Sequence, residues 1–460
     1  MTEVTRESVR PEPAGAAPPW GGRREIVRLA APIVLGEAVG VVVPLIVMAL
    51  LGRIDEEALY VRSLYMPLAF LFTALQMGFD VSNQVAAALS QGRERPQDVV
   101  PVAASMGRAG AVVWGAVTLL VMVAAQPLAA LLEVAPEATG EFVSFLRWVC
   151  LANLLFLPTS LVASSLRGYG RPRAAAAIIL IGATVEIGGV ALLGFGTGLG
   201  VLALPVAMAA GGTAALAFGT AALVRTPLWR ERGPLTWRPE AVEHLTGVGL
   251  PVAVSFLVIA VSNLGLLWVL GPFGPHVVSG FAAAATLESL ILVPATALGS
   301  ATAIIMNRLR GAGRHDLLPR VLTAGLAVSL VAYAVLALAV WLPREPLATL
   351  LTGSPPVAAE TASFLGIVGL TYACMGLTVM TIIAIEQIGG GFIALLLNVP
   401  YFLGTVAVGW LVARSLGAHG LYDTIAVLNV MGVVTAPAVA WLFVRRAAGR
   451  GDDAEAPAPA

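Results

Sequence analysis

Long apolar stretches constrain this chain more than any other feature of its sequence. Between charged or Pro- and Gly-rich joints, the 460 residues leave twelve stretches of 23 to 30 residues. About 20 apolar residues in a helix cross the ~30 Å hydrocarbon core of a bilayer, and only helices and closed barrels span it. The sequence therefore predicts an all-α polytopic membrane protein with twelve transmembrane helices. The predicted spans are 26–51, 61–90, 107–132, 141–166, 173–195, 199–224, 245–271, 279–306, 320–342, 359–385, 391–413 and 421–444.

Composition excludes several classes of protein. The chain is 58% hydrophobic and only 12% charged, whereas about a quarter of a soluble globular chain is charged. All 27 basic residues are arginine, so no lysine is present for a Schiff base or a P-loop. The two cysteines, Cys150 and Cys374, both lie in apolar stretches, which argues against a disulfide framework or a metal site. We expect no cofactor, no metal and no nucleic-acid partner.

The arginines predict the orientation, because loops on the cytoplasmic side carry the excess of positive charge. Arginines are frequent before the first predicted span and in the joints that follow even-numbered spans, and sparse in the other joints. Both termini are therefore predicted to be cytoplasmic, in a multi-pass protein of the cytoplasmic (inner) cell membrane. Residues 1–25 are predicted to be a disordered cytoplasmic arm, and residues 445–460 a cytoplasmic tail.

The sequence repeats at an interval of about 220 residues. Pro32 corresponds to Pro251 at an offset of 219, and Gly78 corresponds to Gly299 at an offset of 221. Each repeat holds six spans, so both repeats cross the membrane in the same direction. Such parallel repeats are typical of secondary transporters.

The repeat predicts the division of the chain. An N-terminal six-helix lobe is predicted over 26–224, a cytoplasmic linker over 225–244 and a C-terminal six-helix lobe over 245–444. No GxxxxGK[ST] motif is present, so an ATP-driven pump is not expected.

Several segments resemble a known family. They are RLAAPIVLGEAVG, GFDVSNQVAAALSQGRERPQD and SLRGYGRPRAAAAIILIGATVEIGG. They resemble the multidrug and toxic compound extrusion (MATE) family, within the multidrug/oligosaccharidyl-lipid/polysaccharide flippase superfamily. The resemblance implies a secondary active antiporter that exports amphipathic, often cationic compounds in exchange for protons or sodium ions.

The residues that the family commonly uses for ion coupling are replaced in this chain. The aspartate of the family's first helix falls on Val47. The Asn-x-x-x-Asp pattern of the fifth helix falls on Glu186 and Val190, and the Tyr-x-x-x-Asp pattern of the tenth helix falls on Tyr372 and Gly376. A coupling site must therefore be sought among the other acids of the spans.

Glu37 and Glu186 are the main candidates for that site. Both lie near the middle of their predicted helices, in the same lobe, on faces lined by small residues. Intramembrane acids are costly and point to function. Apolar surroundings and a second acid favour the protonated form of one carboxyl, so the pair is predicted to hold one proton near neutral pH. The structural alternative is that Glu37 bonds to backbone or pairs with Arg147.

Other polar residues of the spans are candidates for substrate binding or gating. Asp80 lies closer to the cytoplasmic end and is predicted either to gate or to pack, against Arg93 or Arg167. Glu288 is the deepest acid of the C-terminal lobe and is a candidate for facing the substrate. Glu386 is predicted to reach water at a helix end, and it is therefore left out of the site.

The remaining candidates are an aromatic residue, an arginine and a proline. Tyr372 and Arg147, which is the one deep arginine of the predicted spans, are kept as binding or gating candidates, and Pro32 is predicted to bend the first helix. Trp114 and Trp268 are expected to contact other helices or lipid, because tryptophan favours such positions in membrane proteins.

These predictions together favour a monomeric exporter of small amphipathic, cationic compounds. It is predicted to be coupled to protons, rather than sodium ions, through Glu37 and Glu186. A flippase for lipid-linked oligosaccharides or polysaccharides is the alternative, although its cavity should be lined by cations that bind pyrophosphate. A polytopic membrane enzyme is less favoured. It would need acids and histidines clustered at one interface, whereas the four histidines of this chain are scattered over different loops. A passive scaffold is the remaining alternative.

Overall fold

The computed structural model of the protein describes residues 20–454, most of which are helical and none of which forms a β-strand. This confirms the predicted fold class. Twelve long helices are numbered in chain order: α1 Arg23–Ile54, α2 Met66–Gly92, α3 Pro96–Val123, α4 Thr139–Gly168, α5 Pro172–Thr197, α6 Gly200–Val224, α7 Glu240–Phe273, α8 Pro275–Gly311, α9 His315–Trp341, α10 355–385, α11 Gly391–Leu416 and α12 Ala418–Ala454. Shorter helices connect them at Glu56–Leu64, Ala125–Leu131, Pro227–Arg230 and Arg344–Leu351.

Helix lengths support the count of twelve membrane spans. Ten helical segments of the described chain are long and apolar enough to cross a membrane, and α2 becomes the eleventh together with the short helix before it, at a bend of 48°. One of the ten segments, Pro355–Leu416, has 62 residues, or ~93 Å of helix. It breaks at Ile388 and Gly389, where Gly389 has a φ of 95°. That segment therefore supplies two spans, α10 and α11.

The third helix differs most from its predicted bounds. It runs over Pro96–Val123 instead of 107–132. Residues 96–106, which the prediction left outside the span, are helical. Arg108 lies inside this helix, and its guanidinium donates a hydrogen bond to the Leu235 carbonyl in the segment after α6. At the other end a new helix begins at Ala125, which keeps Pro127 within a first turn, where proline is tolerated.

The chain ends also differ from the prediction. Residues 1–19 and 455–460 of the predicted arm and tail lie outside the described residues. Residues 23–25 already belong to α1, and α12 continues to Ala454. The division into lobes at 225–244 stays a prediction, although the structure shows a short helix and then a non-helical segment there.

Helix packing follows the sequence repeat. α1 packs on α5 as α7 packs on α11, α2 packs on α4 as α8 packs on α10, and α5 packs on α6 as α11 packs on α12. Helices α1–α6 form one set and α7–α12 the other. Between the two sets, α1 packs on α8, and α2 packs on both α7 and α8. Each pairing therefore recurs six helices later, as two parallel six-helix repeats require.

Helix α1 is shared between two hydrophobic cores. Ile26, Leu29 and Ile33 in its first half belong to the core formed by residues 266–444. Val47 and Leu51 in its second half belong to the core of the N-terminal helices. The membrane side on which α1 begins at Arg23 is called the N side below. α1 therefore joins the two sets of helices on the N side only.

Candidate functional site

A buried ion pair joins α2 to α4. The Asp80 carboxylate pairs with the Arg167 guanidinium and accepts a hydrogen bond from the Ser160 hydroxyl at 2.7 Å. The side chains of Arg167 and Asp80 are only 12% and 14% exposed. Of the two partners predicted for Asp80, the structure selects Arg167, while Arg93 is exposed.

Hydrogen bonds extend this ion pair across to the C-terminal helices. Arg167 also donates to the side-chain oxygen of Gln84, and the Gln84 amide donates to Gln387 at 2.8 Å. Gln387 lies in the break between α10 and α11 and donates to the Ser300 hydroxyl of α8 at 3.1 Å. We call Asp80, Arg167, Gln84, Gln387 and Ser300 the central polar network. The sequence did not indicate Gln84 or Gln387, because they are 303 residues apart and only packing brings them together.

Backbones of the two sets of helices approach closely beside this network. The Cα of Gly78 in α2 faces the Gly249 carbonyl of α7, so that an added Cβ would lie 2.7 Å from that oxygen. Further along, the Arg308 guanidinium binds the Glu25 carboxylate at 3.2 Å. Within residues 20–454, the hydrogen bonds that join residues up to 224 to residues from 245 onward all lie between the membrane centre and the N side. The protein is therefore closed on the N side in this conformation.

Glu37 is one of the groups that bridge this closed interface. It lies 14 residues after the start of α1, or ~21 Å along the helix, and is half-buried. Its carboxylate accepts a hydrogen bond from the Thr296 hydroxyl of α8. The predicted alternative of a pair with Arg147 is not formed, because Arg147 is exposed on α4. The helix is continuous through Pro32, and the bend predicted there stays a prediction.

Glu186 lies at a different depth from Glu37. Helices α1 and α5 both begin on the N side, and Gly36 packs against Ile179 and Ala176. In that register Glu186 lies about seven residues, or ~11 Å, farther from the N side than Glu37. The structure therefore does not bring the two carboxyls together, and the expectation of a single shared proton is corrected. The error arose because helix position alone does not give the register between two helices.

Glu186 lies instead near an arginine from the opposite side of the membrane. Arg62, on the short helix before α2, is only 8% exposed and interacts electrostatically with Glu186. Its Nε is buried without a hydrogen-bond partner, and its Nη1 contacts the Met66 sulfur at 3.2 Å. Arg62 lies at the start of the second predicted span, and no local pattern links it to an acid 124 residues away.

Two of the predicted residues of the C-terminal helices meet. The Tyr372 hydroxyl lies 3.4 Å from the Glu288 carboxylate and donates to it, and Tyr372 is fully buried. This places a deep acid and a phenol together between α8 and α10.

Glu386 is a buried acid that the sequence analysis left out. Its carboxylate is 6% exposed and accepts a hydrogen bond from the Ser255 hydroxyl at 3.2 Å. Asn398 donates to the same hydroxyl at 3.2 Å. The prediction that Glu386 reaches water at a helix end is wrong, because α11 follows α10 directly and the break between them is packed against α7.

The two tryptophans considered for substrate contact have other neighbours. Trp114 is 1% exposed and packs against Phe72 and Phe79. Trp268 is 67% exposed and stacks on Trp410. Both observations agree with the predicted roles in packing and lipid contact.

A tyrosine of α9 is inserted into the backbone of α8, one turn before Thr296. The Tyr333 hydroxyl accepts a hydrogen bond from the Ala295 amide at 2.7 Å and donates to the Ile291 carbonyl at 2.5 Å. In a regular helix these two groups bond to each other. Pro294 lies between them and supplies no amide hydrogen. The helix that carries both Glu288 and Thr296 is therefore interrupted between them by a side chain.

We expect Tyr333→Phe to lower the free energy of unfolding by about 1–3 kcal/mol, because a buried amide and a buried carbonyl lose their partner. The apparent midpoint of thermal unfolding of the purified protein in detergent, followed by intrinsic fluorescence, should fall accordingly. Tyr60→Phe is the matched control, since its hydroxyl accepts a weaker, exposed bond from the Ala135 amide at 3.3 Å. Equal stability of Tyr333→Phe and the parent would contradict the inserted-hydroxyl interpretation.

Comparison with known proteins agrees with this architecture. The MatE family model matches residues 32–192 and 251–399, two segments that begin 219 residues apart, as Pro32 and Pro251 do. A probable multidrug resistance protein NorM of Deinococcus radiodurans is 27% identical over 436 residues, covering 89% of this chain and 94% of that protein.

Solved structures show the same fold at low sequence identity. The Vibrio cholerae MATE transporter VcmN in its bent form has a TM-score of 0.85 at 17% identity, covering 94% of this chain and 98% of that chain. An outward-facing multidrug resistance MATE family transporter has a TM-score of 0.85 at 20% identity, covering 94% and 97%. A transporter of the same superfamily from Pyrococcus furiosus has a TM-score of 0.83 at 19% identity, covering 94% and 96%.

Proposed function

The chain belongs to the MatE family of multidrug transporters, and from that premise we propose that it exports small amphipathic organic cations in exchange for protons. It is a multi-pass membrane transporter, and its family is one of transporters rather than enzymes. The finer assignments are proposals: the cytoplasmic membrane as its location, cytoplasmic termini, action as a monomer, and no cofactor other than the coupling ion.

The proposed orientation indicates which side of the membrane is closed in this conformation. If the arginine-rich joints are cytoplasmic, the N side is the cytoplasmic side. The conformation is then closed toward the cytoplasm, and substrate is released on the other side.

The proposal for proton coupling rests on the contact between Glu37 and Thr296. An ion drives a conformational change only if its affinity differs between the two conformations. The Glu37 carboxylate is held by α8 when the N side is closed, and it loses this partner when α1 and α8 separate. The proton affinity of Glu37 therefore differs between the conformation closed on the N side and the one open there. Each proton that crosses the membrane inward contributes ~2.3 kcal/mol per 100 mV of membrane potential.

Glu186 is proposed as a second, separate proton site. Its neighbour Arg62 lies on the side opposite the N side, so opening and closing there would alter the field at Glu186. A cationic substrate that approaches this region of the N-terminal helices would favour the charged carboxylate and so release its proton.

Proteoliposomes with an imposed pH gradient test this function. Glu37→Gln and Glu186→Gln are each expected to lower gradient-driven efflux of a fluorescent organic cation about tenfold or more, which corresponds to the loss of ~1.4 kcal/mol of coupling. Glu345→Gln, which removes an exposed acid outside the spans, is the control and should transport like the parent.

The possible outcomes test the coupling roles, the identity of the ion and export itself separately. Parental efflux rates in both variants would contradict the coupling roles. Efflux that follows a sodium gradient but not a pH gradient would support export and identify the sodium ion, instead of the proton, as the coupling ion. Failure to move any cation, together with movement of a lipid-linked pyrophosphate, would favour the flippase alternative.

A further inference from the structure

A groove lies between α1 and α5 close to the N side. It has a volume of about 460 Å³ and is lined by α1 residues between Val27 and Leu35 and by α5 residues between Arg173 and Leu180. Small side chains such as Ala31 and Ala176 line it and leave space between the two helices. The groove covers eight residues of α1, or ~12 Å along the membrane normal.

The groove faces away from the bundle. Leu29 and Ile33 of α1 are buried in the core against the C-terminal helices, whereas Val27, Ala31 and Leu35 are exposed on the other face of the same helix. The exposed face of a transmembrane helix contacts lipid. A groove in that face is filled by hydrocarbon from the bilayer or by a molecule dissolved in it.

Two arginines give the groove a charge at its N-side end. Arg28 and Arg173 both line it and are exposed, and neither forms an ion pair or a side-chain hydrogen bond among residues 20–454. They lie within the first two turns of α1 and α5, at the level of the headgroups. Guanidinium groups bind phosphate through paired hydrogen bonds, and basic pockets between transmembrane helices suit anionic headgroups.

From these observations we propose that the groove binds an anionic phospholipid from the leaflet on the N side. Its phosphate lies between Arg28 and Arg173, and one acyl chain follows the apolar floor toward Leu35 and Leu180. A cationic substrate is disfavoured there, because both charged groups of the groove are positive. The lipid would hold α1 against α5 one turn before Glu37.

Lipid binding to the purified full-length protein tests this proposal by native mass spectrometry. The probes are phosphatidylglycerol and phosphatidylcholine with identical acyl chains. The parent is expected to retain phosphatidylglycerol preferentially. The double variant Arg28→Gln/Arg173→Gln should bind it roughly 30-fold more weakly, which is the factor for two arginines at about 1 kcal/mol each. Arg171→Gln/Arg225→Gln removes two exposed arginines outside the groove and is expected to bind like the parent.

A second variant tests the apolar part without changing charge. Ala31→Leu fills the groove and should reduce binding of phosphatidylglycerol, whereas Ala111→Leu on the exposed face of α3 should not. Phosphatidylcholine retained as well as phosphatidylglycerol by the parent would overturn the proposal. Undiminished phosphatidylglycerol binding in the double variant would do the same, as would competition by a cationic substrate that displaces the lipid.

Discussion

Replacing Gly92 by alanine is expected to drive the protein out of the conformation closed on the N side. Gly92 ends α2 where it meets α8, and an added Cβ would overlap the backbone carbonyl oxygen of Arg308 and lie 3.0 Å from the Ala312 amide nitrogen. Backbone atoms cannot rotate away, so the two helices must move apart. Overpacking of this kind costs about 1–3 kcal/mol, which changes the population of the closed state by a factor of roughly 5 to 150.

Thiol labelling measures this change. Val85 is 2% exposed and packs against Val248 and Val252 between α2 and α7. In a background of Cys150→Ser and Cys374→Ser, a Val85→Cys reporter in nanodiscs should react slowly with a membrane-impermeant maleimide. We expect Gly92→Ala to raise the labelling rate by the factor given above and to slow transport.

Gly115→Ala is the control for this substitution. Gly115 lies inside α3, and an added Cβ there meets open space. Alanine favours a helix interior over glycine by about 1 kcal/mol, so the control should be as stable as the parent or more stable. A labelling rate that is the same in Gly92→Ala and in the parent would mean that the α2 and α8 contact does not decide which side is closed.

The second large effect is expected when the Asp80–Arg167 ion pair is broken. Arg167→Gln leaves the Asp80 carboxylate buried with the Ser160 hydroxyl as its remaining strong donor. Removing one partner of a buried pair typically costs 3–5 kcal/mol, because the other charge stays uncompensated. Both side chains are less than 15% exposed, so solvent offers little screening. The same variant also removes the donor to Gln84 and weakens the central polar network.

The rate of irreversible thermal inactivation in detergent measures the loss, since large membrane proteins rarely refold after heating. Arg167→Gln should inactivate much faster than the parent, and the double variant Asp80→Asn/Arg167→Gln should recover much of the loss, because no unpaired charge remains. Arg95→Gln removes an exposed arginine near the same side and should have little effect. If the double variant were as unstable as Arg167→Gln, the effect would come from packing instead of charge.

The membrane helices were predictable because each one depends on its own residues. Every span carries its hydrophobicity in a contiguous stretch, and no backbone polar group is left unpaired in lipid when the stretch is helical. The third helix shows the limit of this local rule. It begins at Pro96, eleven residues before the predicted start at 107, because the first three turns are less apolar but still helical. Arg108 within the helix finds a hydrogen-bond acceptor only in the segment after α6.

The site was predictable only in part. The candidates Asp80, Glu37, Glu288 and Tyr372 all take part in contacts between helices, as intramembrane polar residues generally do. Their partners were harder to find. Arg167 was one of two alternatives for Asp80, and Thr296 was not considered for Glu37.

The sequence by itself determined that this protein is a twelve-helix membrane protein with two parallel repeats, since those features follow from local hydrophobicity and from a fixed interval along the chain. Only the tertiary structure decided which polar groups meet. The register between α1 and α5 separates Glu37 from Glu186, and the break after α10 buries Glu386 and brings Gln387 to Gln84. Register and closure depend on how side chains interlock between helices far apart in sequence, and no single stretch of the chain contains that information.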